Sequence, residues 1–270
     1  MTAKLPISAY IICQDEEAVI ENCLKHVAMC AEIIVVDSGS ADRTLEIVRA
    51  LAADGMPIRL IEEPWRGYAA QKQFALDQCT QDWCLNVDAD ERASPMLHAA
   101  LPDLIVATSK AYAFKRYEYL IGYGWVLPRQ GAHYSTRLFR RGTGTYKPEE
   151  IVHEGVYTSD PVEKWVDGGL LHFKGLMFDA LISKDNTYST LKARMKKDAG
   201  APARPLRMLL SPVAAFLRNY VHYGFWRNGW AGFILARKAA ITTFLTEAKR
   251  WELDAIDRVP VEETDVDGRY

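Results

Sequence analysis

Asp88 and Asp90 stand one residue apart in the run Asp88-Ala89-Asp90-Glu91-Arg92, directly after Trp83 to Val87, a stretch that reads as a buried strand. Two carboxylates so spaced can hold a hard divalent cation, directly or through water. Such an ion bridges phosphate oxygens and neutralises charge on a departing diphosphate, the Lewis-acid role of a bound metal. An isolated acidic pair is more often a solvated turn, but one placed at the end of a buried strand is a candidate site. Gln71 and Lys72 open a predicted helix, where a lysine can pair with phosphate and the helix amino terminus adds a favourable dipole. His172 follows Leu170 and Leu171, so it reads either as a satisfied core histidine or as a metal or phosphate ligand. Arg137 and Arg140 lie on a predicted strand as candidate phosphate contacts.

These residues need a scaffold, and the first hundred positions supply its pattern. Short β-branched runs alternate with helical periodicity, the signature of βαβ units and a mainly parallel sheet. Ile7 to Ile12, Ile33 to Val36, Ile58 to Ile61 and Trp83 to Val87 are the predicted strands. Asp15 is placed to cap a first helix carrying Ile20, Cys23, Leu24 and Val27 on one face. Leu45, Val48, Leu51 and Ala52 mark a second helix, Gly67 to Cys79 a third, and Met96, Leu97, Ala100, Leu101 and Leu104 a fourth after Pro95. Strand two runs into the turn residues Asp37, Ser38, Gly39 and Ser40. Open α/β sheets bind ligands at the carboxyl ends of their strands. Asp37 and Asp88 are therefore expected there as neighbours.

A chain of 270 residues, 49% hydrophobic and 25% charged, is long enough for a buried core and far from a disordered composition. Five cysteines (Cys13, Cys23, Cys30, Cys79, Cys84) form no close CxxC pair, which fits a reduced compartment. Met1 to Pro6 does not read as a secretory signal. The net charge of −2 conceals asymmetry. From Arg194 to Arg250, eleven Lys or Arg face only Asp198 and Glu247, whereas acids dominate after Trp251. The basic stretch is interleaved with apolar clusters at Leu206 to Leu210, Val213 to Leu217, Tyr220 to Trp226 and Ala231 to Leu235. No uncharged run reaches the roughly 20 residues that span a bilayer. Interfacial helices on an anionic membrane surface fit that pattern; the alternative is a helical subdomain with a solvated basic face. Interleaved aromatics and aliphatics also argue against a nucleic-acid stripe. The expected layout is a catalytic domain over 1–174, a basic amphipathic helical region over 175–252 and an acidic tail over 253–270. The expected location is cytoplasmic, peripheral on the inner face of the cytoplasmic membrane.

The segments Ile33-Ile34-Val35-Val36-Asp37-Ser38-Gly39-Ser40-Ala41-Asp42-Arg43-Thr44 and Asp88-Ala89-Asp90-Glu91-Arg92, in that order and spacing, resemble the family 2 glycosyltransferases of the GT-A fold. The likeness is greatest to the subgroup that contains lipopolysaccharide-core β-glucosyltransferases. It continues through Gly67 to Ala75, Arg137-Leu138-Phe139-Arg140, Val152-His153-Glu154 and Gly229-Trp230-Ala231-Gly232-Phe233, and so covers nearly the whole chain. The resemblance implies a Rossmann-like mixed, mainly parallel sheet flanked by helices. It implies inverting transfer of a hexose, glucose favoured, from a nucleotide diphosphate sugar such as UDP-glucose to a glycolipid or lipopolysaccharide-core acceptor. In that reading Asp88 and Asp90 bind Mg or Mn, and Asp90 is catalytic. Asp37, Ser38, Gln71, Lys72 and Asp88 bind the donor, while Arg137, His153 and His172 meet acceptor or phosphate. An inverting transfer needs a base for the attacking hydroxyl, and the resemblance points to Glu154. Trp125, Tyr134 and Tyr146 are candidates for a sugar-stacking platform. Two positions depart from the family pattern: Ser38 stands where many members carry a second acid, and Gln73 where Asn is common.

Other classes fit less well. No GxGxxG follows the first strand, where Gln14 to Glu17 is acidic, and no GxxxxGK[ST] occurs, which disfavours dinucleotide oxidoreductases and P-loop enzymes. A sugar nucleotidyltransferase would need a Gly-rich, Arg-containing first loop. A non-catalytic membrane-associated scaffold would have no need of the paired carboxylates.

Overall fold

The computed structural model describes residues 4–126, 134–147, 155–176 and 178–255. Its elements, in chain order, are β1 (Leu5–Cys13), α1 (Ile20–His26), β2 (Cys30–Asp37), α2 (Thr44–Ala53), β3 (Ile58–Glu62), α3 (Tyr68–Asp77), β4 (Trp83–Asn86), β5 (Glu91–Ala93) and α4 (Pro95–Leu104). There follow β6 (Ala111–Leu120), β7 (Gly124–Val126), β8 (Tyr134–Arg140), β9 (Gly144–Thr145), β10 (Tyr157–Thr158), β11 (Val162–Leu176), α5 (Phe178–Asp198), α6 (Pro205–Leu217) and α7 (Gly229–Ala255). The chain forms two compact units: Met1–Tyr119 with Ala132–Gly175, and Leu120–Gly131 with Leu176–Tyr270.

The first unit is built on a sheet ordered β3-β2-β1-β4-β8-β6-β11-β5. Its β3-β2-β1-β4 half is parallel, and β8 then joins β4 and β6 antiparallel. Alternation along the strands divides the core between two faces. Ile7, Ala9, Ile11, Ile33, Val35 and Leu85 pack with α1, α2 and α4 through Ile20, Leu24, Val48, Leu97 and Leu101. Tyr10, Ile34, Val36 and Cys84 pack with Ala69, Ala75 and Leu76 of α3. At Gly169 in β11 an added Cβ would stand 2.1 Å from the Lys115 carbonyl oxygen, so only glycine permits that approach. Ser94 then fastens the edge: its Oγ caps α4 at the Leu97 N–H (3.3 Å) and accepts from the Gly169 N–H (3.2 Å).

Two expectations are corrected. Asp15 does not cap α1, which begins five residues later with Val19 as N-cap. Asp15 sits at φ 54° and its carboxylate accepts from the Ala41 N–H at 2.8 Å, so it ties the loop after β1 to the loop after β2. Asp37 and Asp88 share the carboxyl edge of the sheet but are not neighbours, because β1 lies between β2 and β4. Two interstrand spacings, about 10 Å, separate their strands.

In the second unit α7 packs against α5 and α6. Leu120, Val126, Leu181 and Ala231 form a small core, and Phe216, Tyr220, Phe233 and Trp230 form an aromatic cluster. Much of the basic charge is used internally. Lys238 pairs with Asp185 at 2.8 Å, Lys196 with Glu247, Lys249 bonds Asn186, and Arg250 donates to the Ala201 carbonyl at 2.8 Å. The solvated basic face is therefore narrower than the sequence count suggests. No helix among the described residues is long and apolar enough to cross a membrane.

All five cysteines are free and buried in the first unit. Burial pushes the Cys30 thiol up to about 12 and raises Cys13 and Cys23 further, so thiolate is scarce at neutral pH. Titration of native protein with a thiol reagent at pH 8 is expected to label none of the five, and all five after denaturation. A fast-reacting native thiol would show that the sheet core opens readily.

Candidate active site

Beyond β4 the chain turns through Val87 to Asp90 and enters the three-residue strand β5, and this turn carries the acids. Asp88 is held between two cations, with Oδ1 2.9 Å from Lys72 Nζ and Oδ2 3.3 Å from Arg137 Nη2. Burial alone would raise its carboxyl, but Lys72 and Arg137 outweigh burial and hold it well below the usual range. Arg137 is itself buried. Its guanidinium also donates to Asn86 Oδ1 (2.5 Å), Glu91 Oε1 (3.0 Å) and Ser135 Oγ (3.1 Å). Glu91 is fully buried, accepts from the Asp88 N–H at 3.2 Å and lies 3.6 Å from Arg116. Burial raises its carboxyl in spite of the two arginines.

The chain of charges continues. Arg116 Nε donates to Glu118 (2.8 Å), Glu118 meets His172 Nδ1 (2.7 Å), and His172 Nε2 meets Asp90 Oδ2 (2.8 Å). An unbroken line of ion pairs and hydrogen bonds thus joins Lys72, Asp88, Arg137, Glu91, Arg116, Glu118, His172 and Asp90. Burial would lower the basicity of His172, but Asp90 and Glu118 outweigh it and bring its pKa to about 9. The imidazole is therefore charged at neutral pH, and the line, with four cations and four carboxyl groups, ends at Asp90, where a metal would displace the proton from Nε2.

That end fits a divalent cation. A carboxylate and an imidazole nitrogen converge there, and the imidazole is oriented through its other nitrogen by Glu118, the support that metal-bound histidines commonly have. Among the described residues no group of three or more His, Cys, Asp or Glu could complete a metal shell. An ion such as Mg or Mn would therefore take its other ligands from water and substrate phosphate, as Mg characteristically does. Asp88 is less available than the sequence suggests, since both of its oxygens already face cations.

Three of the residues expected to hold the donor also brace the loops around it. Asp37 is fully buried, and its Oδ1 accepts from the Gly39 and Ser40 N–H groups, each at 2.9 Å, while its other oxygen takes the Ser40 hydroxyl. Gln71 is also fully buried. Its amide donates to Ser38 Oγ (3.1 Å) and the Glu63 carbonyl (3.2 Å) and accepts from the Arg66 N–H (3.2 Å). Asp37, Ser38 and Gln71 thus brace the loops after β2 and β3. Gln71 and Lys72 do not open the helix, because α3 starts at Tyr68 and the Gln71 N–H already bonds Gly67. Lys72 acts through its ammonium group alone.

Other candidates separate from the site. Arg140 stacks over the Trp83 ring at 4.5 Å with Asp82 at 4.0 Å. Tyr146 is buried with its hydroxyl 2.8 Å from that of Tyr10, so it packs in the core and offers no sugar platform. Trp125 is half-buried in the second unit, and Tyr134 lies under Lys164 at 5.6 Å. His153 and Glu154 lie outside the described residues. Glu91, Arg116 and Glu118 received no role from the sequence. The signal for the last two was an Arg and a Glu two apart on a strand, hence on one face.

The profile described as glycosyl transferase family 2 matches residues 8–157. The lipopolysaccharide core biosynthesis glycosyltransferase LpsC of Rhizobium meliloti (strain 1021) is 44% identical over 96% of this chain and 97% of its own length. An uncharacterized glycosyltransferase of Rickettsia prowazekii (strain Madrid E) is 29% identical over 92% of this chain and 87% of its own. In three dimensions the chain is similar to the mannosyltransferase PcManGT from Pyrobaculum calidifontis, solved with GDP-Man and Mn2+. The TM-score is 0.52 and the identity 19%, over 90% of this chain and 88% of that one. It also resembles S. aureus TarS 1-349 in complex with UDP, with TM-score 0.50 and 15% identity over 93% and 91%. These structures bear out the GT-A type fold.

The buried network generates a stability prediction. Glu91→Ala would leave Arg137 and Arg116 short of their shared partner and is expected to cost about 3 to 5 kcal/mol, read from urea denaturation of the two proteins. A loss below about 1 kcal/mol would mean that the network behaves as a surface ion pair.

Proposed function

The chain belongs to glycosyl transferase family 2, and we propose that it moves a hexose, glucose favoured, from a nucleotide diphosphate sugar to a lipid-linked or lipopolysaccharide-core saccharide with inversion. The convergence of Asp90 and His172, joined by ion pairs to Lys72 at the carboxyl edge of the sheet, carries this reading. The name and near full-length match of LpsC support the choice of acceptor.

A divalent cation bound by Asp90 and His172 would supply electrophilic stabilisation of the departing diphosphate. The protein's own groups do the rest. Glu118 holds the imidazole so that Nε2 faces Asp90, and Asp88 holds the Lys72 ammonium in place as a second positive charge for phosphate. Arg137 keeps Asp88 ionised and holds both Asp88 and Glu91 in place, so the turn need not reorganise when the donor binds. Glu154 takes the proton of the acceptor hydroxyl, a role that rests on the family resemblance. A single displacement from the opposite face then inverts the anomeric carbon.

Contact with an anionic membrane is supported by α6. Leu206, Leu209, Leu210, Val213 and Leu217 recur at helical spacing, and each is more than half exposed. Trp226 and Trp230 are exposed at 53% and 72%. A stripe of this kind, with Arg207 and Arg218 in the same stretch, suits the headgroup layer.

Calorimetric titration with UDP, GDP and ADP, each with and without Mn²⁺, tests the donor site. One nucleotide is expected to bind in a metal-dependent way, and Asp90→Ala and His172→Ala are each expected to abolish that dependence. Absence of binding by all three would sink the transferase reading. Sedimentation with vesicles tests the surface. Binding to phosphatidylglycerol-containing vesicles is expected to fall at least about tenfold in Leu209→Glu/Val213→Glu, given roughly 1.5–3 kcal/mol for each buried aliphatic side chain; unchanged binding would remove α6 from the membrane contact.

A further inference from the structure

A cavity in the first unit shares no lining residue with the site above. It holds about 400 Å³ and is lined by Lys25, His26, Arg92, Pro95, His98 and Phe173, with the β5–β11 edge as its floor. Register pairs His172 with Glu91 and Leu171 with Arg92. Alternation therefore sends Arg92 away from Glu91 and His172. We propose that this cavity is an anion site that takes a phosphomonoester, free or carried on a saccharide.

Three observations support it. The lining brings together four nitrogen-bearing side chains from α1, β5 and α4, and no carboxylate is among them. Among the described residues, Lys25 pairs with a carboxylate only outside the cavity, Glu21 at 2.6 Å on the exposed side of α1. Arg92 lies 3.7 Å over the Phe173 ring and, among the described residues, has no carboxylate partner. It differs in this from Arg116 and Arg137, each of which meets at least one carboxylate. Stacking covers one face of its guanidinium and leaves the edge N–H groups to donate, the geometry by which arginine grips phosphate. The amino terminus of the ten-residue helix α4, opened by Pro95, adds its positive dipole end. A volume of this size falls in the range of small-molecule sites, larger than one oxyanion requires.

The test is calorimetric titration of the full chain, in chelator, with inorganic phosphate and with glucose 6-phosphate. Wild-type protein is expected to bind at least one of them saturably at a single site. Arg92→Gln is expected to weaken binding about tenfold or more, the loss of one charge-assisted hydrogen bond, and Arg92→Lys less. The exposed pair Lys25→Gln/His98→Gln provides the same reading if Arg92→Gln fails to fold, as judged by near-ultraviolet circular dichroism. Tighter binding of glucose 6-phosphate assigns the site to a phosphorylated saccharide, and equal binding to the phosphate group alone. No saturable binding at millimolar concentration, or wild-type affinity in both variants, overturns the proposal.

Discussion

Arg137 is a buried cation, and a buried cation is tolerated only with partners at hydrogen-bond distance. Asp88, Glu91, Asn86 and Ser135 all turn toward it. Meeting that demand fixes the turn after β4, which in turn fixes where Asp90 stands. Glu91 cannot leave the turn without stranding the guanidinium, and β5 cannot leave the sheet without moving Glu91. The position of the candidate metal ligands thus follows from an electrostatic requirement two residues away from them.

The same requirement explains what could be read from the sequence. Strands β1 to β4 and helices α1 to α4 announce themselves by periodicity, because each buries one regular face and local spacing reports burial. Asp88 and Asp90 were legible because they interrupt an apolar run. Glu91, although in that same charged run, was not, since nothing local says that a carboxylate will be fully buried against an arginine forty-six positions later. Arg116 and Glu118 lie on a strand whose neighbours come from distant parts of the chain. Asp37 and Gln71 carry a bracing part that the sequence did not announce: polar residues at a ligand-binding edge invite a role with ligand, and here they also hydrogen-bond to loop backbone and to Ser38.

Charge in the second unit carries a similar lesson about counting. The surplus of lysine and arginine from Arg194 to Arg250 is a property of composition, yet Lys238, Lys249 and Arg250 are committed to Asp185, Asn186 and Ala201. What remains outward is defined better by apolar exposure along α6 than by net charge. Sequence hydropathy sees both as one amphipathic pattern, because a lysine that snorkels to solvent and one that turns back to a partly buried aspartate have the same spacing.

Strand β5 has only three residues and ends the sheet. An exposed sheet edge is a template on which a second chain can add a strand, and proteins blunt such edges by shortness, charge and nearby helices. Arg92 places charge there, and Pro95 begins a helix two residues after the strand ends. An edge this brief offers too few backbone groups to seed pairing with another molecule. The segment that carries the candidate metal-binding turn thereby also protects the protein from edge-to-edge aggregation, so lengthening β5 by design would put colloidal behaviour at risk.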